Sequence, residues 1–283
     1  MSLLARDRST AYRLRERGEI GAERFGRLHE GSPMLEWGSI TKTVTAALAL
    51  RLEAAGALCR TDAVVTHLPE SGLPASVTVS SLIAHTSGLP RVPAGIDDVF
   101  DPYAKYTTEA FDRDVVPTLG QQRQQPKPLP EYSNLGYAVL TRVLETAGGG
   151  SWWQLASEHV LKPLGLDDVA VDPPQERRPV VRGWNGEPRV PWTMHTGPFV
   201  GAGGLWGTFD ALERCAPALV RKTADAGSPG WQVQGAVRWH NGHVRDSGAF
   251  VAVRPDAERV VTVHTLGRRA GTADRVARRI TTR

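Results

Sequence analysis

A serine and a lysine three residues apart, Ser39 and Lys42, are the side chains of this chain best suited to covalent chemistry. Residues 43–55 are rich in Ala and Leu, which favour a helix, and Gly56 is a typical helix stop. A spacing of three places both side chains on one face of that helix, at its first turn. A serine hydroxyl becomes nucleophilic when a base removes its proton, and a buried lysine can be neutral or can activate that base. The pair therefore predicts an activated nucleophile.

An ordinary helix N-terminus would show the same pair. Ser39 could serve as an N-cap, and Lys42 could be a solvated residue of the first turn. Lysine is scarce in this chain, however, since only 5 of its 34 basic residues are Lys. An active site at Ser39 also requires a base, an oxyanion hole and substrate-binding groups, which other elements must provide.

The composition is that of a globular protein with one large domain or two modest ones. Of 283 residues, 41% are hydrophobic and 23% are charged, and the formal net charge is +4. No stretch rich in Lys and Arg is interleaved with stacking aromatic residues, so we expect no nucleic-acid partner. The two cysteines, Cys59 and Cys215, are far apart and form no metal-binding motif. We expect neither a metal nor a cofactor.

The distribution of apolar residues predicts a cytoplasmic protein without a membrane partner. Residues 1–35 are heavily charged and contain no apolar stretch of signal-peptide length. No other stretch is apolar over the length needed to cross a bilayer. These patterns leave the oligomeric state open.

Hydrophobic periodicity, interrupted by Gly and Pro, predicts strands near both ends of the chain and helices between them. Strand-like segments are expected near residues 12–28 and 231–264, and the latter ends in a hairpin. Helices are expected at about residues 40–55, 79–84, 138–147, 151–161, 209–220 and 272–280.

Two features allow two interpretations each. Residues 91–130 contain six prolines and look irregular, which fits either a lid over a binding site or a solvated connector. His85 could be catalytic, but the turn residues that follow it favour a role in fixing that turn by hydrogen bonding.

The motif Tyr132-Ser133-Asn134 could supply the missing base. Tyr132 and Asn134 stand two residues apart, just before a helical pattern. A tyrosine beside a lysine cation can act as a general base. An asparagine amide can accept a hydrogen bond from Lys42 and donate one to a substrate carbonyl.

The motif His240-Asn241-Gly242-His243 could supply the oxyanion hole. We place it at the start of an edge strand. Gly242 would let a substrate approach the backbone closely, and the next backbone N–H could point at an oxyanion.

In this order, the motifs resemble those of the serine β-lactamase and penicillin-binding protein superfamily, most closely its class C β-lactamase and esterase branch. Residues 39–42 match the Ser-x-x-Lys motif, residues 132–134 the Tyr-x-Asn motif, and residues 240–242 the His-x-Gly version of the third motif. Further family landmarks are similar at residues 82–90, 163–166 and 202–205.

The resemblance implies an α+β fold of the β-lactamase/transpeptidase type. An antiparallel sheet would be flanked by helices, and a mostly helical domain would be inserted into it. Residues 1–60 and 196–283 would form the mixed α/β sheet domain, and residues 61–195 the helical domain.

The resemblance also implies roles for the first two motifs. Ser39 would form an acyl-enzyme, and Lys42 would hold a charge or a proton beside it. Tyr132 would be the general base, and Asn134 would position Lys42 and the substrate.

For the third motif, the resemblance implies substrate binding. The backbone N–H groups of Ser39 and His243 would form the oxyanion hole. His240 and Gly242 would border the substrate.

Three features depart from the family pattern. The N-terminal lead is short, and the segments at residues 91–130 and 166–195 look trimmed. After Gly242 the chain continues with bulky and charged residues, which would reshape the acyl pocket. Among them, Arg245 could bind a substrate carboxylate or pair with Asp246 at the surface.

The predicted function is that of a serine hydrolase, a carboxylesterase or β-lactamase-like enzyme, that cleaves a small-molecule ester or amide through an acyl-serine intermediate. The expected cytoplasmic location favours a small ester over a cell-wall substrate. An acyltransferase of small-molecule biosynthesis that uses the same Ser39 is one alternative. A non-catalytic ligand-binding protein of the same fold is another.

Overall fold

The computed structural model describes residues 9–96, 100–125, 129–267, 269 and 271–281. These residues fall into two compact units. The sheet unit is the described part of Met1–Thr41, Leu166–Pro191 and Leu205–Arg283, and the helical unit is that of Lys42–Gly165 and Trp192–Gly204. The domain boundaries expected from the sequence remain a prediction. The polar lead at residues 1–8 lies outside the described residues.

The described strands all belong to the sheet unit. They are β1 (Thr10–Glu16), β2 (Glu19–Phe25), β3 (Leu35–Glu36), β4 (Val169–Ala170), β5 (Trp206–Gly207), β6 (Gln232–Gln234), β7 (Val237–His243), β8 (Ser247–Arg254) and β9 (Arg259–Leu266). Six of them form an antiparallel sheet in the order β2-β1-β9-β8-β7-β6. The three short strands form a second sheet in the order β3-β5-β4. The predicted hairpin near residue 256 is confirmed as β8 and β9.

The helices lie mostly between β3 and β5 along the chain. They are α1 (Thr41–Ala54), α2 (Val64–His67), α3 (Val79–Ile83), α4 (Thr108–Ala110), α5 (Leu119–Gln122), α6 (Asn134–Gly148), α7 (Trp152–Ala156), α8 (Val200–Gly203), α9 (Phe209–Lys222) and α10 (Thr272–Thr281). Every helix predicted from periodicity is found. Among the described residues, no helix combines the length and the apolar character needed to cross a bilayer.

The two faces of the six-stranded sheet are covered by different helices of the sheet unit. Successive side chains of a strand point to opposite faces. On one face, side chains of β1, β8 and β9 pack against Ala273 and Ala277 of α10. On the other face, Ala11 and Leu266 pack against Phe209 of α9. Odd-numbered residues of β7 lie on the α10 face, because Trp239 packs into that cluster.

Helix α6 forms much of the core of the helical unit. The side chain of Ser133 caps its N-terminus by accepting a hydrogen bond from Gly136 N (2.7 Å), and Gly149 ends it with a φ of 70°. Leu140 and Val143 are among its fully buried residues. Burying one such side chain contributes about 1.5–3 kcal/mol. The helix therefore holds the residues at its N-terminus in fixed positions.

The Pro-rich segment at residues 91–130 contains a continuous helical stretch, so the expectation of an irregular segment is wrong for residues 108–122. Helix α4 runs into a π-helical turn, then a 3-10 turn, then α5. Pro117 is tolerated because it lies at the start of the 3-10 turn, where its missing N–H is not needed. Residues 97–99 and 126–128 lie outside the described part of the chain.

Candidate active site

Ser39 lies in a short 3-10 helix, Gly38–Ile40, which leads directly into α1. The preceding Trp37 is fully buried, and its backbone N donates to Leu205 O (2.9 Å). Leu205 N donates in turn to the hydroxyl of Thr41 (3.1 Å). The segment that carries Ser39 is thus tied at both ends to one residue of the sheet unit.

Lys42 is completely buried, with none of its surface exposed. Its Nζ donates to Oδ1 of Asn134 (2.9 Å) and to the backbone O of Ala202 (2.6 Å). The same nitrogen lies 4.9 Å from the centre of the Tyr132 ring. The interpretation of Lys42 as a solvated first-turn residue is therefore wrong.

The environment of Lys42 favours its neutral form. Burial lowers the pKa of Lys42 well below its ordinary value, and the positive charge of Arg91 lowers it further. A neutral amine has two N–H groups and one lone pair, and the oxygens of Asn134 and Ala202 match the two N–H groups. A lysine side chain in this state can accept a proton.

The segment before α6 is held by His85 and Ser133. Ser133 N donates to Nδ1 of His85 (3.1 Å), and the Ser133 hydroxyl donates to Pro90 O (2.6 Å). The rings of His85 and Tyr132 lie 4.6 Å apart, centre to centre. His85 therefore fixes this turn by hydrogen bonding, as its neighbours in the sequence favour, and its ring packs beside Tyr132.

Two further residues next to Tyr132 and Asn134, Arg91 and Tyr103, were missed by the sequence analysis. The guanidinium carbon of Arg91 lies 5.2 Å from the centre of the Tyr132 ring, and Arg91 O accepts from Asn134 N (2.9 Å). The hydroxyl of Tyr103 accepts from Nδ2 of Asn134 (3.4 Å). Arg91 directly follows the landmark at residues 82–90, which was a usable signal. Tyr103 lies in the Pro-rich segment, where no motif marks it.

The motif at residues 240–243 forms the end of β7, so its predicted place at the start of an edge strand is wrong. Gly235, with a φ of 58°, separates β6 from β7, and β7 therefore begins earlier than the pattern indicated. Strand β6 pairs with residues 237–239 and ends there, whereas β8 pairs with residues 238–243. The motif consequently lies at an edge of the sheet, but at the far end of the strand.

Gly242 faces the segment that carries Ser39. A Cβ atom at residue 242 would overlap the carbonyl oxygen of Trp37 and lie 3.1 Å from Ser39 N. A Cβ atom at residue 38, in turn, would lie 3.0 Å from His243 N. The two glycines therefore allow the backbones at Ser39 and His243 to lie side by side. The atoms that come close to Gly242 therefore belong to the backbone of this chain, whereas the sequence led us to expect a substrate there.

The register of β7 and β8 shows where the N–H of His243 points. Val244 N donates to Ser247 O (3.0 Å), so these two residues form a hydrogen-bonded pair. Such pairs alternate along an antiparallel ladder, and His243 opposite Gly248 is the adjacent, non-hydrogen-bonded pair. The His243 N–H therefore points away from β8, which is the orientation that an oxyanion donor at this edge requires.

The side chains of the third motif occupy both faces of the sheet. His240 is buried, and its Nδ1 donates to Asn241 O (2.7 Å). Asn241 and His243 point to the face opposite Gly242, where Nδ2 of Asn241 donates to Asp274 (2.7 Å) and Nε2 of His243 lies 2.9 Å from the same carboxylate. His243 therefore offers its backbone, and not its ring, to the segment that carries the nucleophile.

Within each unit, the structure brings predicted site residues together. Lys42, Tyr132 and Asn134 are neighbours in the helical unit. The backbone at Ser39 is a neighbour of the backbone at Gly242 and His243 in the sheet unit. The chain links the two groups through the short interval between Ser39 and Lys42.

Two other features bear on ligands. Arg245 lies 3.8 Å from Asp246 and donates to Val190 O (3.3 Å), so the pairing with Asp246 is present, but only 19% of the Arg245 side chain is exposed. Among the described residues, no group of three or more His, Cys, Asp or Glu side chains is placed to hold a metal ion.

A comparison with protein families and curated proteins gives consistent matches. The family model described as Beta-lactamase matches residues 16–281. Penicillin-binding protein 4 of Amycolatopsis lactamdurans is 28% identical over 199 residues, which are 62% of this chain and 50% of that protein. The D-alanyl-D-alanine-carboxypeptidase/endopeptidase AmpH of Escherichia coli (strain K12) is 27% identical over 179 residues, 60% of this chain and 44% of that protein. The chain thus spans half or less of the length of these relatives.

Solved structures share the fold over almost the whole chain. A beta-lactamase/D-alanine carboxypeptidase from Yersinia pestis has a TM-score of 0.75 at 19% identity, covering 98% of this chain and 93% of that one. A class C beta-lactamase from Rhodobacter sphaeroides has a TM-score of 0.74 at 17% identity, with coverages of 97% and 93%. At these identities the likeness establishes the fold. The predicted α+β class, an antiparallel sheet flanked by helices, is confirmed.

Proposed function

The chain belongs to the Beta-lactamase family, and from this premise we propose that it is a serine hydrolase that acts through an acyl-serine intermediate on a small-molecule ester or amide. The observation that carries the proposal is the state of Lys42. It is fully buried, its N–H groups face the oxygens of Asn134 and Ala202, and burial favours its neutral form. A base of this kind, one turn after Ser39, is what a nucleophilic serine requires.

In the proposed acylation step, Oγ of Ser39 attacks the carbonyl carbon of the substrate. Tyr132 is the proposed general base, which takes the proton of Ser39 and passes its own proton to the neutral Lys42. The new Oγ–C bond forms as the carbonyl electrons move onto oxygen. When the tetrahedral intermediate collapses, the alcohol or amine leaves with a proton returned by Tyr132, and Ser39 carries the acyl group.

The proposed oxyanion hole consists of the backbone N–H groups of Ser39 and His243. The close approach of the two backbones at Gly38 and Gly242, and the direction of the His243 N–H, support this assignment. Each such donor contributes about 3–4 kcal/mol to transition-state stabilisation in comparable sites.

Hydrolysis of the acyl-enzyme needs a water molecule in place of the leaving group. Tyr132 is proposed to take a proton from that water and return it to Ser39 through the reverse of the acylation relay. Asn134 is proposed to hold Lys42 and to bind the substrate carbonyl group, and His240 and Gly242 to border the substrate.

The proposed substrate class is a small ester, with an amide as the second candidate. The ester ranks first because the alcohol of an ester leaves more readily than the amine of an amide. The amide is favoured by the curated relative named as a D-alanyl-D-alanine-carboxypeptidase/endopeptidase.

Turnover of matched substrates tests the proposal. A chromogenic ester, a D-alanyl-D-alanine peptide and a cephalosporin are offered to the parent protein, to Ser39→Ala and to Ser76→Ala, which changes an exposed serine. We expect ester hydrolysis to fall about 1,000-fold or more in Ser39→Ala, as for other nucleophile deletions, and to stay within twofold in Ser76→Ala. Equal turnover in all three proteins would overturn the proposal. A product formed only with an added alcohol or amine would establish the acyltransferase alternative, and ligand binding without turnover the binding-protein alternative.

A further inference from the structure

One carboxylate, that of Asp274, bridges the two residues that flank Gly242 in β7. Its Oδ1 accepts from Nδ2 of Asn241 (2.7 Å), and its Oδ2 lies 2.9 Å from Nε2 of His243, a nitrogen that also accepts from Gly271 N (3.1 Å). The Asp274 side chain is largely buried, with 17% of its surface exposed. Both ends of the carboxylate are therefore used to hold one short stretch of strand.

Among the described residues, the end of β7 pairs with a strand on one side only. Strand β6 ends opposite Trp239, and β8 pairs with residues 238–243. On its other side the segment lies against the backbone of Trp37 and Gly38, so its position sets the distance between the His243 N–H and Ser39. The bonds from Asn241 and His243 are made on the α10 face, opposite the face that Gly242 presents to Trp37.

The Asp274 carboxylate belongs to a helix that is packed firmly against the sheet. Asp274 lies in the first turn of α10, between two points where that helix packs on the sheet. Ala273 and Ala277 are buried against the cluster that includes Leu14 and Val263. Burial alone would raise the pKa of Asp274, but the hydrogen bonds from His243 and Asn241 outweigh it and lower the pKa below its ordinary value. The group is therefore an anion and a strong acceptor.

We propose that Asp274 is a positioning residue for the oxyanion hole: through Asn241 and His243 it holds the end of β7 so that the His243 N–H keeps its place beside Ser39. This inference rests on the serine hydrolase function proposed above. Asp274 does not touch the reacting atoms, and its effect passes through the strand.

Two variants of Asp274 and one control variant distinguish a positioning role of Asp274 from a general contribution to stability. Asp274→Asn keeps the shape of the side chain but removes its negative charge and replaces one acceptor by a donor. Asp274→Ala removes both bonds. Asp256→Asn is the matched control, because Asp256 is an exposed residue of the turn between β8 and β9.

Kinetics on a chromogenic ester give the first readout. Because a misplacement of about 1 Å in a catalytic group can cost about 100-fold, we expect kcat to fall about 10- to 100-fold in both Asp274 variants with KM within about twofold. Asp256→Asn should match the parent. An unchanged kcat in folded Asp274→Asn and Asp274→Ala would overturn the inference. A decrease in kcat that is fully explained by the fraction of unfolded protein, measured by circular dichroism, would overturn it as well.

Hydrogen–deuterium exchange gives a second readout that does not depend on turnover. We expect peptides covering residues 240–246 to exchange faster in Asp274→Ala, while peptides from α6 exchange as in the parent. If the parent protein lacks turnover, the proposed function fails, and the exchange then tests only whether Asp274 holds the end of β7. Unchanged exchange at residues 240–246 would then overturn the inference.

Discussion

Gly242 lies so close to Trp37 that a methyl group on its Cα would overlap the Trp37 carbonyl oxygen. The same methyl group would lie 2.9 Å from the Trp37 carbonyl carbon and 3.1 Å from Ser39 N. A residue with any side chain at this position must therefore push the strand away from the nucleophile.

Replacing Gly242 by alanine should damage activity more than stability. Gly242→Ala is expected to lower kcat/KM at least about 100-fold through the displaced backbone, and to cost about 1–3 kcal/mol of unfolding free energy through overpacking. Urea unfolding and ester hydrolysis measure the two effects. Gly21→Ala is the control, because the nearest atom to a Cβ there is 3.9 Å away. Activity of Gly242→Ala equal to that of Gly21→Ala would contradict the geometry.

The pH dependence of the reaction should respond to Arg91. The positive charge of Arg91 opposes protonation of Lys42, so Arg91→Gln raises the Lys42 pKa towards its ordinary value. Since the neutral amine is the active form, the acid limb of the kcat/KM profile should move to higher pH. In Arg91→Gln, we expect the ratio of activity at pH 6 to activity at pH 9 to be severalfold lower than in the parent protein. A profile that coincides with that of Arg113→Gln, an exposed arginine, would refute the charge effect.

His85 should tolerate asparagine better than alanine. Its backbone is left-handed, with a φ of 58°, and its Nδ1 accepts from Ser133 N. Asparagine can adopt this conformation and can offer an acceptor, whereas alanine loses the bond and is strained. We expect His85→Ala to cost about 1–3 kcal/mol of unfolding free energy and His85→Asn less. Chemical denaturation of both variants measures the difference, and equal losses would contradict the role of the bond.

His264 should make an unfavourable contribution to stability in mild acid. This residue is buried, and its burial, with the neighbouring His29, lowers its pKa well below the ordinary value. Below about pH 6.5 the unfolded chain therefore binds a proton at this position that the folded chain does not, which favours unfolding. We expect the free energy of unfolding of His264→Asn, relative to that of the parent, to rise as pH falls from 7 to 5; Glu36, whose burial raises its pKa to about 8, acts in the opposite sense in both proteins. His195→Asn, at an exposed position, should show no such rise; an equal rise there would point to another group.

Local patterns were enough to predict the elements that carry the motifs. The Ala and Leu run of α1 and the helical spacing of the apolar residues of α6 are local patterns, so both helices were predicted. The Pro-rich stretch misled, because Pro117 occupies a position where a helical turn accepts it. Gly235 misled the prediction as well. Because it separates β6 from β7, the strand β7 begins at Val237, earlier than the sequence pattern indicated.

The contacts that give the site its chemistry could not be predicted in this way. Lys42 acquires its character from Asn134 and Ala202, which are 92 and 160 residues away along the chain. Asp274 lies 31 residues from His243 and looks like an ordinary acid in the first turn of a helix. Burial and pairing at such separations come from the tertiary fold, and no spacing rule encodes them.

The most direct test of the account is intact-mass spectrometry after exposure to a fluorophosphonate probe. The probe reports a nucleophilic serine, because its phosphorus forms a bond to the hydroxyl oxygen and fluoride leaves. We predict one adduct per chain, located by peptide mapping at Ser39 and lost in Ser39→Ala with the fold intact by circular dichroism. A folded parent protein that forms no adduct, or an adduct that persists in Ser39→Ala, would contradict the assignment of Ser39 as the nucleophile.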